Sequence, residues 1–476
     1  MPKRKFFYWL TISNFLYIIV LLILAGVTIA ALSGDNGILQ NAGKAKEESE
    51  QASEIEKIRL AISEAQMGED GYQELTTENL GSALIKDGVK SIVSDNEDGT
   101  RHILLLDEKK EYKLDSSGNI ENLNIDFDTK YVAPSSQNEA INEGVIGIGT
   151  DGQPVDMDLW EHTLLDDGTY GLNDKNVFIE DYVASSGYSN DNLVDGKIQG
   201  SIPQYIKTSD NSEFIAVTNI NYLFYNASLS EAPTIPCTVT SMKATFNTCK
   251  NLTSMPVIPN GVTNMFGTFA SCTKLTGITK LPNSIIDMTG TFIGCGSLIE
   301  TPEIPNSVTN MSLTFSGCTL LTIAPRIPNG VTNMYGTFSE CTSLAIAPEI
   351  PNSVTNMKDT FSECTSLATA PEIPNSVTNM YGTFYKCTSL TTAPVIPNSV
   401  TVLVKTFKGC NNLQGSIEIN ANVTGKQLGE DLYNNIDYMN CLFEATTNPG
   451  LTLKVTGSCP VLQQIVENAN NPNITL

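Results

Sequence analysis

The chain has 476 residues, about three domains' worth at the usual domain size, and carries 52 acidic against 28 basic residues, a net charge of −24. That balance argues against nucleic-acid binding through clustered Lys and Arg, and only two histidines, His102 and His162, leave little room for histidine catalysis or His-rich metal sites. Charged residues make up 17% and apolar residues 41%, so the chain is not globally disordered.

The charge is unevenly placed. From Ile235 onward there are 14 acidic and 11 basic residues, a net of −3, which leaves 38 acidic and 17 basic, a net of −21, in the first 234. A step of this size predicts a domain boundary near residues 200–230.

Lys3, Arg4 and Lys5 precede an apolar stretch whose inner part, Phe15–Leu32, is 18 residues without a charge. That is close to the ~20 residues a helix needs to cross a bilayer. Basic residues before the span and an acidic chain after it put the body outside the cytoplasm, anchored by a single pass or, alternatively, secreted after cleavage. After Gly34-Asp35-Asn36-Gly37, the residues Ile38, Ala42, Ala45, Ala52, Ile55, Ile58, Ile62 and Ala65 recur at helical spacing. Lys44–Glu48 and Lys46–Glu50 lie one turn apart on the other face, which predicts an amphipathic helix over 38–66.

The string LLILAGVTIAALSGDNGILQNAGKAKEESE resembles the N-termini of prepilin-like proteins of Gram-positive bacteria. It departs from them in lacking the peptidase cleavage motif and the Glu five residues into the apolar run. The segments VKSIVS, HILLLD and EYKLD, with Asp98-Gly99 between the first two, predict a β-meander over 89–120. With the preceding helix this makes a small pilin-like α+β module over 34–124, following the transmembrane or prepilin-like helix of residues 1–33. Residues 125–213 read as an acidic, Gly/Asp-rich connecting region with few periodic apolar positions. Asp151, Asp156, Asp158, Asp166 and Asp167 do not fit the spacing of a twelve-residue calcium loop and read as solvated turns.

The strongest signal follows. IPCTVTSM begins at Ile235, IPNGVTNM at Ile258 and LPNSIIDM at Leu281, and the series continues at Ile304, Ile327, Ile350, Ile373 and Ile396, always 23 residues on. Phe recurs in phase from Phe246 to Phe407, Cys three residues after each Phe, and Leu three after each Cys. One such copy cannot enclose its own apolar face. Eight stacked copies share a continuous core, and an inserted residue would throw a coil out of line with its neighbours. The predicted fold is therefore a leucine-rich-repeat solenoid of short parallel strands with helical turns over 235–418. Asn221–Pro233 reads as a degraded copy with Ala227 in place of Cys, within an N-terminal cap at 214–234, and 419–476 reads as a C-terminal cap of helix, strand and helix. The unit VTNMYGTFSECTSLATAPEIPNS resembles the BspA-like leucine-rich repeats of bacterial surface proteins, with their F-x-x-C-x-x-L core, and departs from them by a second Pro per copy.

The phase of the eight repeat cysteines predicts a column of small buried hydrophobes in place of disulfides, since parallel side chains rarely reach the disulfide dihedral. Cys237, standing where later copies have Asn, reads as a surface variant, and Cys441 and Cys459 could pair in the C-terminal cap. No nucleophile elbow, HExxH, P-loop or dinucleotide motif is present, so no catalytic residue, cofactor or metal is expected. The repeat instead offers variable positions. Between the two prolines lie Val257, Lys280, Glu303, Arg326, Glu349, Glu372 and Val395, read either as a self-satisfied charge ladder or as a ligand face. Just after Met lie Phe266, Tyr335 and Tyr381, aromatic residues able to anchor a partner. The resemblance implies a non-enzymatic, membrane-anchored surface protein that binds an extracellular protein or glycan and no nucleic acid. The alternative is a minor pilin-like component of a filament or secretion assembly.

Overall fold

The computed structural model describes residues 38–68, 71–96, 98–125, 146–160, 162–172, 190–207, 213–419 and 452–455. The predicted membrane helix with its prepilin-like start, the two helices of the C-terminal cap, and Cys441 and Cys459 lie outside these. Among the described residues no helix is long and apolar enough to cross a membrane.

The chain divides into two compact units, Met1–Leu75 and Thr76–Leu476. In the first, helix α1 spans Ile38–Gln66, as its periodicity predicts, and Lys46 pairs with Glu50 at 3.5 Å. Among the residues of this helix whose exposure is described, Glu54, Ile58, Ala61 and Ala65 are buried, while Ala45 and Ala52 are exposed. A short hairpin, β1 (Met67–Gly68) with β2 (Gly71–Tyr72), follows.

The second unit opens on helix α2 (Thr77–Lys86). Its start is fixed by a reciprocal cap in which Thr76 Oγ1 accepts from Asn79 N at 3.1 Å and Asn79 Oδ1 accepts from Thr76 N at 2.7 Å. The meander follows as β3 (Ser91–Asp95), β4 (Arg101–Leu105) and β5 (Lys110–Leu114), with a fourth strand, β6 (Ile120–Asn122), antiparallel throughout. Gly99 turns the first hairpin at φ 78°, a conformation that costs other residues about 1–2 kcal/mol.

The stretch read from sequence as a connecting region holds five strands: β7 (Ile146–Gly149), β8 (Pro154–Val155), β9 (His162–Leu164), β10 (Tyr170–Leu172) and β11 (Pro203–Lys207). With β12 (Ile215–Asn219) they form a mixed sheet in the order β8-β7-β11-β12-β10-β9. The strands are two to five residues long, too short for alternation to stand out among Gly and Asp turns. Ile148 and Tyr205 of this sheet pack with Ile92 and Leu104 of the meander. Trp160, Ile206 and Val217 join the core of the repeats. The sheet thus closes the near end of the solenoid, and the degraded copy continues it, with the Phe224 ring stacked on Phe246 at 5.4 Å.

The coils contain neither strand nor helix. Each touches the next through isolated parallel bridges, such as Asn333↔Asn356 and Ile346↔Thr369, joined by successive turns. This differs from the expected strand-and-helix coil, and two causes are visible. Two prolines in all but one copy, where Thr279 replaces the first, remove backbone donors, and two residues per coil adopt left-handed φ, for example Gly336 at 58° and Glu340 at 61°. Between these residues the amides alternate in direction. Met334 and Phe338 N–H donate to Asn356 and Thr360 of the next coil, while Thr337 and Cys341 N–H donate three residues back, to Met334 and Phe338. Every Phe, Cys and Leu of the eight triplets is at most 1% exposed. The Phe rings form one parallel stack, with centroids 5.4–5.8 Å apart from Phe224 to Phe407. At the far end β13 (Ser416–Ile419) pairs in parallel with β14 (Thr452–Val455), the strand expected at LTLKV.

Candidate functional site

Two kinds of position in the coil carry polar chemistry, one inside and one outside. Inside, each buried Thr next to Phe from Thr268 to Thr406 donates to the Met carbonyl of the preceding coil, as Thr337 Oγ1 does to Met311 O at 2.9 Å, and Thr245 donates to Ile220 O. Each Cys Sγ donates to the Phe carbonyl of the preceding coil at 3.0–3.3 Å, from Cys249→Phe224 to Cys410→Phe384. The cysteines are therefore donors as well as small apolar fillers, a role that composition and phase do not disclose. All are free thiols. Burial pushes Cys249, Cys295, Cys341 and Cys410 up to about 12, and the other four well above their ordinary value. A thiol raised so far keeps roughly a thousandth of the ordinary thiolate at neutral pH, and the thiolate is the nucleophile. Iodoacetamide at pH 8 is expected to leave the eight repeat thiols unlabelled in the folded chain and to label them all in 6 M guanidinium, read by intact mass.

Cys237 is not the surface variant its position suggested. Its sulfur is packed against Gly81 of α2 and accepts from Gln204 Nε2 at 3.3 Å, and burial raises it to about 12. Close by, burial lifts Glu78 of α2 from 4.5 to about 7. A carboxyl raised in the folded state stabilises fully below its unfolded value, and that stability is lost as pH rises through 7. The chain is thus expected to lose about 2 kcal/mol between pH 5 and pH 8 at this site. Glu78→Gln should flatten that part of the melting-temperature profile.

His102 is buried on β4, with Nε2 2.7 Å from Glu111 Oε2 on β5, and His162 lies edge-on to Tyr170. Both lie outside the coils. Asp151 and Asp167 accept from backbone amides two residues on, as turn-forming carboxylates do.

Outside, the position after Met is a cation–π ladder. Lys358 lies 5.0 Å from the Tyr335 centroid and 5.3 Å from that of Tyr381, Lys405 also sits over Tyr381 at 5.6 Å, and Lys243 sits over Phe266 at 5.3 Å. The three aromatics singled out in the sequence are thus engaged by lysines one coil away. The stripe between the prolines is the converse. Lys280, Glu303, Arg326, Glu349 and Glu372 are all exposed, and among the described residues none forms an ion pair. Stacked coils can pair charges, since Lys386 reaches Glu363, 23 residues earlier, at 2.8 Å. The self-satisfied ladder is therefore absent where the sequence suggested it. Beside the stripe two adjacent isoleucines, Ile323 and Ile346, are 71% and 69% exposed.

A core of in-phase Leu, Phe and Cys shared between 23-residue coils defines a leucine-rich-repeat protein. Residues 218–345 and 314–440 match the BspA type leucine rich repeat region, in six copies. Among solved structures, a Treponema pallidum leucine rich repeat protein is 28% identical, with 36% of this chain and 82% of that chain covered and a TM-score of 0.26. A leucine rich cell surface protein from Faecalibacterium prausnitzii is 19% identical (56% and 94% covered, TM-score 0.25), and a leucine-rich repeat protein from Bacteroides ovatus is 17% identical (64% and 100%, TM-score 0.30). No curated protein matches the chain.

Proposed function

We propose that the chain is a non-enzymatic recognition protein of the cell surface, held at the membrane through Phe15–Leu32, whose solenoid presents the inter-proline stripe to an extracellular protein. The observation that carries this reading is the unpaired charge of Lys280, Glu303, Arg326 and Glu349 beside exposed Ile323 and Ile346. Exposed apolar side chains bordered by uncompensated charge are what a protein partner covers and neutralises. A protein is favoured over a glycan because the aromatic rings a sugar would stack on already carry lysines. The membrane assignment is supported by the charge-free span and the basic residues before it.

Photo-crosslinking in intact cells tests the reading. A benzophenone side chain at position 323 is expected to give a discrete protein adduct, and one at Thr355, on another face of the coil, is not. Equal adducts from both positions, or none from 323, would refute it.

A further inference from the structure

We infer that the partner of this stripe is a second copy of the same chain, docked antiparallel; the inference rests on the reading just given. Along the coils the stripe runs Val257, Lys280, Glu303, Arg326, Glu349, Glu372. A two-fold axis between Glu303 and Arg326 sets Glu303 against Arg326 of the partner subunit and Lys280 against Glu349 of the partner subunit. Symmetry repeats each pair, giving four unlike-charge contacts and no like-charge one. Val257 then meets Glu372 of the partner subunit, which is neutral.

Shifting the axis removes this match. Centred on Arg326, the stripe opposes Arg326 to itself and Glu303 to Glu349 of the partner subunit. Centred on Glu303, it opposes Lys280 to Arg326 of the partner subunit. Centred between Arg326 and Glu349, it opposes Glu303 to Glu372 of the partner subunit. Centred between Lys280 and Glu303, it sets no like charges together but keeps only two unlike-charge contacts, so the first register carries the most.

The constant 23-residue period explains why a copy fits better than an unrelated protein. Charges spaced by the coil rise stay in register over four coils only against charges spaced by the same rise. The same stacking leaves the four side chains unpaired within a chain while Lys386 and Glu363 pair, so they remain available for contacts between chains. Ile323 and Ile346, beside the stripe, supply apolar surface to bury.

Sedimentation velocity of the full-length chain under reducing conditions, in a density-matched non-ionic detergent, tests this. The expected result is a dimer at about 10 μM that weakens as salt rises. Arg326→Glu should raise the dimer dissociation constant at least about tenfold, because it sets two like-charge contacts at the axis. Glu303→Arg combined with Arg326→Glu should restore it to within about threefold, since the pairs re-form with signs exchanged. Both variants alter exposed side chains, and an unchanged melting temperature confirms that they fold. A chain that is monomeric at about 100 μM, a dimer indifferent to Arg326→Glu, or a double exchange that fails to rescue would each overturn the inference. A monomer that still gives heterologous adducts from position 323 overturns self-association and leaves the recognition reading standing.

Discussion

Replacing Phe338 by alanine is expected to lower the stability of the repeat region by about 4 kcal/mol, seen as a fall in the urea midpoint. Phe338 is fully buried, and its ring lies 5.8 Å from that of Phe315 and 5.7 Å from that of Phe361. Truncating a buried Phe costs about 3–5 kcal/mol through lost transfer energy and the cavity left behind. Two stacked neighbours add about 0.5–1.5 kcal/mol each, and partial collapse of the coils offsets some of it. Because a solenoid's coils couple only to their neighbours, the loss should split the transition and not merely shift it, with the coils on either side of Phe338 unfolding apart. A change under about 1 kcal/mol would mean that the ring column is not the shared core described.

The second large effect concerns register. One glycine inserted between Asn333 and Met334 is expected to unfold the flanking coils, whereas the same insertion between Pro348 and Glu349 should cost about 1 kcal/mol or less. At the first site, alternate amides bond the next coil, Met334 to Asn356 at 2.9 Å and Phe338 to Thr360 at 2.9 Å, so one extra residue puts each donor opposite the wrong acceptor. It also turns the Met and Phe side chains out of the core. At the second site Glu349 is exposed, and among the described residues the backbone from Pro348 to Pro351 donates no bond to a neighbouring coil. Hydrogen exchange of the two variants reads the difference directly. Equal protection loss in both would contradict this picture of the coil.

The same contrast explains what is legible in one dimension. The 23-residue phase of Ile, Val, Met, Phe, Cys and Leu names the core one residue at a time, because a stacked coil must repeat its inward positions without slippage. The helix over 38–66 and the meander strands also follow from local periodicity and from the Asp98-Gly99 turn. The mixed sheet of 146–219 does not, since strands such as Pro154–Val155 and Tyr170–Leu172 are short and their partners lie far along the chain, as with Tyr170 and Val217. Cys237 escapes a sequence reading for a related reason. Its departure from the repeat's Asn reflects Gly81 and Gln204, which reach it from outside the repeat.

The sequence by itself determined the architecture of the repeats, their buried columns and the two variable stripes, because those depend on a period and a period is visible along the chain. Only the tertiary structure decided which stripe is satisfied. Lysines one coil away cover the aromatics after Met, while the charges between the prolines stay unpaired. Equal spacing along the chain leaves two side chains free to meet or to miss, and the direction in which each coil points them settles it.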